Sequence, residues 1–149
     1  MTLEEIPDPT LIDQFLQTFG ALSALTARVA VNHGNDDEMN QLRQMLVILN
    51  KQAKDHEAMQ PQWREFLEAL AGIANNLVVH LIGNDLRAQF VEQMVKLEIQ
   101  PELRKEVVSE VLTSLKTAIA ERNGDLAQSA VQNYFDELEK QLDEIENSL

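Results

Sequence analysis

The sequence predicts an all-α protein, an antiparallel bundle of about six helices, on the basis of three observations. Its 149 residues include only five Gly and four Pro, while the strong helix formers Leu, Ala, Glu and Gln are frequent. Apolar residues recur at spacings of three and four, which is the repeat of a helix. No segment shows the alternation that marks a strand. We therefore expect residues 1–149 to form one all-helical domain with a single core.

The first two helices are predicted from their caps and from apolar spacing. Asp8 and Pro9 supply a cap and a first helical residue, and the helix should end near Gly34, where glycine can adopt a positive φ. Asn35 or Asp36 then caps the second helix. The apolar positions are Leu11, Ile12, Phe15, Leu16, Phe19, Leu22, Leu25 and Val29 in the first helix and Met39, Leu42, Met45, Leu46 and Leu49 in the second.

Pro61 is predicted to open a third helix, which the pair Asn75 and Asn76 ends. Its inward residues are Trp63, Phe66, Leu67, Leu70 and Ile73.

A fourth helix is predicted to run to about Lys96. It carries His80, Asn84 and Arg87, whose spacings of four and three put them on one stripe. The simplest explanation of such a row is an exposed polar face. The alternative is a polar lining inside the bundle, where a few donors orient an otherwise apolar ligand.

The fifth helix is predicted to start at Pro101, and the sixth begins after "RNGD" and continues to the C-terminus. Apolar positions in the fifth are Leu103, Val107, Val108, Val111, Leu112, Leu115 and Ile119. In the sixth, apolar residues alternate steps of four and three: Val131, Phe135, Leu138, Leu142, Ile145 and Leu149. This seam is either the core face of a terminal helix or a partner-binding edge, and it is too short for a coiled coil. We expect its first half to be core, and both alternatives stay open for the last turns.

Composition excludes several classes of function. The formal net charge of -13 disfavours nucleic-acid binding, which depends on Lys and Arg neutralising phosphates. Cysteine is absent, which fits a reducing compartment, and no apolar run approaches the roughly 20 residues of a membrane span. No phosphate loop, HExxH motif or Glu-x-x-His pair is present. We expect a cytoplasmic protein that is not an enzyme.

Three stretches together resemble the FCD domain, the C-terminal ligand-sensing domain of FadR-type transcription regulators in the GntR superfamily. They are "LIDQFLQTFGALSALTARVAV", "WREFLEALAGIANNLVVHLIGNDLRAQF" and "LKTAIAERNGDLAQSAVQNYF". The residues that correspond to the family signature are Phe66, Leu70, Ala71, Asn76, Leu115, Ala118, Ile119, Tyr134 and Phe135.

The resemblance also implies that this chain holds no metal. In metal-binding members an Asp and three His converge on a divalent cation in the bundle core. Here those positions fall on Trp63, Leu67, Leu112 and Tyr134, none of which is an ordinary metal ligand. We therefore expect no metal and no other cofactor.

Loss of the metal ligands is also the pattern of the fatty-acid-responsive FadR branch, which senses acyl-CoA. The "LIDQFL" opening, "LIGNDLR" and Tyr134 are similar to that branch. Two positions depart from it: the first-helix Arg of the family falls on Phe19, and the Gly that follows the Tyr is Phe135. The resemblance implies an apolar acyl ligand, a fatty acid or acyl-CoA, lined by Trp63, Phe66, Leu67, His80, Asn84, Leu112, Leu115 and Tyr134.

FadR-type regulators carry a winged-helix DNA-binding domain before the sensing domain, and we expect none within this chain. The resemblance implies a homodimer that reaches DNA only through such a domain. The alternative is a stand-alone helical module that binds another protein and no small molecule.

Overall fold

The structure is a computed structural model that describes residues 9–76, 80–82, 85, 88–89, 92 and 103–148. Five helices are described: α1 (Pro9–His33), α2 (Asp36–Gln52), α3 (His56–Ala74), α4 (Lys105–Glu121) and α5 (Gly124–Ser148). The described residues between 80 and 92 are also helical and belong to the predicted fourth of six helices. No residue in these ranges lies in a strand, so the predicted all-α class is confirmed.

The five helices close into a ring around one core. Contacts run from α1 to α3, from α3 to α2, from α2 to α4, from α4 to α5, and from α5 back to α1. The pairing of α1 with α5 is the most extensive of these contacts. Each described helix therefore buries its apolar face against two neighbours.

The link between α1 and α2 corrects one prediction and confirms another. Gly34 does not have a positive φ; its N–H donates to Ala30 O at 2.8 Å, as in a continuing helix. Asn35 caps α2 as predicted, in a reciprocal arrangement with Glu38. Position 34 has little space for a side chain, because a Cβ there would lie 2.8 Å from the backbone carbonyl oxygen of Ala30. Asp8 lies outside the described residues.

The predicted starts of two helices are wrong. α3 begins at His56 rather than at Pro61, because the Asp55 side chain caps it by accepting from the N–H groups of Glu57 and Ala58. Pro61 is accommodated inside the helix. α4 begins at Lys105 and follows Arg104, which offers no side-chain cap, rather than starting at Pro101.

Two helices end in left-handed residues. Asn75 ends α3 with φ of 53°, as the Asn pair predicts, and Arg122 ends α4 with φ of 54°. The guanidinium of Arg122 also donates to the carbonyls of Val31 and Gly34 and pairs with Asp36 at 2.8 Å. Arg122 thus ties the turn between α4 and α5 to the turn between α1 and α2.

The apolar face of α1 differs in part from the predicted one. Leu25 is 43% exposed, and the side chain of Leu11 lies outside the described residues. The buried positions in the second half of α1 are mostly small: Ala24, Ala27, Ala30 and Val31. Small residues let a neighbouring helix approach closely, so spacing of large apolar residues alone misplaced this face.

The apolar seam of the terminal helix, α5, faces the core. Val131, Phe135, Leu138 and Leu142 are buried, and Ile145 packs against them while partly exposed. Leu149 lies outside the described residues. The core interpretation therefore holds through Leu142.

α1 and α5 run antiparallel and approach closely at Gly20. From one end to the other, Gln17 bonds to Glu139 at 2.8 Å, Gly20 lies against Phe135, and Arg28 pairs with Asp125 at 3.4 Å. A Cβ at Gly20 would lie 2.8 Å from Cβ of Phe135 and 3.0 Å from its Cγ. The Cβ atom of Phe135 is fixed by the backbone of α5 and cannot rotate away, so only glycine fits at position 20.

We expect Gly20→Ala to lower the free energy of unfolding by about 1–3 kcal/mol, because overpacking forces the two helices apart. Urea denaturation measures this change. The matched control is Gly72→Ala in α3, where an added Cβ meets nothing within 4 Å. That substitution should raise stability by about 0.4–1 kcal/mol. Equal effects of the two substitutions would contradict the close approach.

Candidate functional site

The structure brings together two predicted site residues from different helices, Trp63 of α3 and Tyr134 of α5. Their ring centroids are 4.6 Å apart and their planes are tilted by 45°. Phe66, less than one turn after Trp63, stacks near the indole at 5.7 Å with planes 20° apart. All three side chains are buried. Direct aromatic contact therefore joins α3 to α5 in the core.

The aromatic contacts continue toward α1 through two further phenylalanines. Phe135 meets Tyr134 edge-on at 5.3 Å, and Phe19 meets Phe135 edge-on at 5.5 Å. Edge-to-face pairs of this kind add roughly 0.5–1.5 kcal/mol each beyond area burial. We call the five residues Phe19, Trp63, Phe66, Tyr134 and Phe135 the aromatic cluster. It spans α1, α3 and α5.

Tyr134 supplies a polar group within this cluster. The side chain is 2% exposed, and its hydroxyl accepts a hydrogen bond from Gln60 Nε2 at 3.2 Å. Burial raises the pKa of Tyr134 far above its ordinary value, and the bond from Gln60 offsets only part of that effect. The phenol is therefore neutral at physiological pH. Analysis of the sequence missed Gln60, although its position three residues before Trp63 puts it on the same face of α3.

Trp63 carries a second polar group, and this one has no hydrogen-bond partner among the described residues. Its side chain is 3% exposed, and its Nε1 is buried without a hydrogen-bond acceptor. An indole nitrogen only donates, and a buried donor left unsatisfied costs about 1–3 kcal/mol. Such an exception is the kind of feature that marks a site for a ligand or an ordered water.

The remaining predicted residues divide between core, surface and the undescribed part of the chain. Leu112 and Leu115 of α4 are buried, and Leu67 packs partly exposed against the core. Asn84 lies outside the described residues.

The structure does not support the predicted inward orientation of His80. Its side chain is exposed, beside a shallow pocket that includes Asn75 and Asn76 at the end of α3. Leu81 and Ile82 are exposed as well, so this part of the helix faces solvent, where an imidazole is fully hydrated. The simpler explanation of the polar row applies to this residue.

The four positions at which the resemblance predicts the loss of metal ligands, Trp63, Leu67, Leu112 and Tyr134, do not fit a cation. Trp63 and Tyr134 are in ring contact, and Leu67 and Leu112 offer no donor atom. In the part of the chain that the structure describes, no group of three or more His, Asp, Glu or Cys side chains lies close enough to hold a metal. The chemistry of this donor set favours apolar contact over coordination.

These observations agree with the family to which the chain belongs. A family model described as the FCD domain matches residues 14–137, so the chain is a member of the FCD domain family. FCD domains are the C-terminal, ligand-sensing domains of GntR-type transcription regulators, and they bind effectors rather than catalyse reactions. Searches of curated proteins and of solved structures found no match. No described helix has the length and apolar character of a membrane span.

We expect purified protein to contain no stoichiometric Zn, Ni or Mn, because the four positions supply at most one neutral phenol. Elemental analysis after dialysis measures the content. About one metal per chain that survives dialysis, and that a Tyr134→Phe substitution removes, would contradict the prediction.

We expect Tyr134 to stay unionised above about pH 10, where an exposed tyrosine titrates. Tyr134 is the only tyrosine, so ultraviolet absorbance of tyrosinate reports this residue alone. A raised pKa in the folded state means that its contribution to stability is complete below about pH 10 and is lost as pH rises further. Ionisation should therefore coincide with loss of helicity by circular dichroism. Titration near pH 10 in a fully helical protein would contradict the burial.

Proposed function

We propose that this chain is the effector-binding domain of a FadR-like regulator and that its effector is an apolar acyl-type molecule bound in the bundle core. The observation that carries the proposal is the composition of the residues around Trp63 and Tyr134. Buried aromatic rings of α3 and α5 are in contact there beside two neutral polar groups, the Tyr134 hydroxyl and the Gln60 amide. Sites for small apolar ligands have this composition, with few polar groups that fix orientation.

The residues that bind the apolar tail in this proposal are Phe66, Leu67, Leu112 and Leu115. Three of them are buried and the fourth packs against the core. Tyr134, held by Gln60, orients the polar end of the ligand, and Asn84 is a further candidate for this role. A metal has no part in this arrangement.

The ring of helices gives such a ligand a means of acting at a distance. The aromatic cluster contacts α1, α3 and α5, and each of these helices packs against two neighbours. A ligand that changes the spacing of Trp63 and Tyr134 changes the packing of α3 relative to α5. In a homodimer joined to a DNA-binding domain, that change in packing alters DNA affinity, which is a coupling between two sites.

The first test is a thermal-shift screen with fatty acids and acyl-CoAs. A ligand present at 100 times its Kd stabilises the folded state by about 2.7 kcal/mol. Tyr134→Phe should weaken binding by roughly 1–3 kcal/mol, because the group that orients the ligand is lost, while helicity is retained. The matched control is Leu25→Ala, a substitution at an exposed position of α1 that should leave binding unchanged.

The screen also separates this proposal from the alternative, a helical module that binds a protein partner and no small molecule. If no acyl compound shifts the melting temperature, the acyl sensor is contradicted and the alternative replaces it. Equal weakening by Tyr134→Phe and Leu25→Ala would place binding elsewhere on the protein.

A further inference from the structure

The Nε1–H group of Trp63 is a buried polar group that the proposed function leaves without a role. It lies in the aromatic cluster, is inaccessible to solvent and donates to no atom of the described residues. Phe66 and Tyr134 pack against its ring, yet neither accepts its hydrogen bond. An indole N–H cannot accept a hydrogen bond. It needs an acceptor from outside the described protein atoms, which a ligand or an ordered water can supply.

The aromatic rings in contact with this donor's indole are uncharged. They belong to Phe66 and Tyr134, and the hydroxyl of Tyr134 accepts a hydrogen bond from the neutral amide of Gln60. Phe135 and Phe19 continue the apolar surface. Burying a carboxylate here without a cation is strongly unfavourable, and the chain's net charge of -13 adds repulsion.

We propose that Trp63 recognises the head of the effector by donating its Nε1–H to an uncharged acceptor, such as the carbonyl of an amide, ester or thioester. The inference rests on the proposed function and deepens it, because it names the class of head group. A free fatty acid, whose carboxylate is ionised at neutral pH, binds poorly. A ligand with the same alkyl chain and an uncharged carbonyl head group binds well.

The test compares three probes that share one alkyl chain length: lauramide, laurate and dodecane. Affinity is measured at neutral pH by the fluorescence of Trp63, the only tryptophan in the chain. We expect lauramide to bind at least about tenfold more tightly than either other probe, a difference of 1.4 kcal/mol.

A direct readout of the hydrogen bond comes from nuclear magnetic resonance of protein with isotope-labelled tryptophan. One tryptophan gives one indole N–H signal. We expect lauramide to move this signal downfield, as a new hydrogen bond requires, and dodecane to leave it without a downfield shift. This measurement uses the wild-type protein and does not depend on the folding of a variant.

Trp63→Phe keeps an aromatic ring and removes the donor. We expect the variant, measured by thermal shift, to lose the tenfold preference for lauramide over dodecane while still binding both. If Trp63→Phe kept the preference for lauramide over dodecane, the role of Trp63 would be overturned. The role would also be overturned if lauramide did not move the indole N–H signal of the wild-type protein downfield. Laurate binding as tightly as lauramide would overturn the neutral head group and leave the acyl sensor standing. If none of the three probes and no acyl-CoA binds, both the inference and the proposed function fail.

Discussion

The close approach of α1 to α5 at Gly20 is the constraint on which the rest of the structure depends. The Cβ and Cγ atoms of Phe135 lie against the backbone of α1 at Gly20. Because Gly20 has no side chain, the two helices can come this close. Polar pairs on both sides of this point, Gln17 with Glu139 and Arg28 with Asp125, keep the register. Exposed pairs contribute little energy each. The buried contact at Gly20 therefore sets the distance between α1 and α5, and the exposed pairs keep the register of the two helices.

That constraint also places the polar groups of the candidate site. Tyr134 precedes Phe135 and points to a different side of α5, where it meets Trp63 and Gln60 of α3. α3 itself packs on α1 and α2, so long side chains rather than small ones connect it to α5. The contact of α3 with α5 therefore crosses the ring of helices and is made by the side chains of Trp63, Gln60 and Tyr134.

The helical class, the Asn35 and Asn75 helix ends and most core positions could be predicted, because caps and apolar spacing are local properties of the chain. The start of α3 could not, because Pro61 is a strong signal that the Asp55 cap overrides. The alanine face of α1 was hidden, since spacing rules weigh large residues. The role of Gln60 could not be predicted for another reason: it depends on a hydrogen bond with Tyr134, which is 74 positions away in the sequence.

Phe19 and Phe135 look independent in the sequence and are one contact in the structure. Neither ring has its present packing without the other, and Gly20 supplies the space for Phe135. The contact between the two rings is apolar. The same region lacks metal donors and keeps Tyr134 neutral. These features support the proposed effector, because apolar contact and neutral hydrogen bonds are what the aromatic cluster and the Gln60 amide offer.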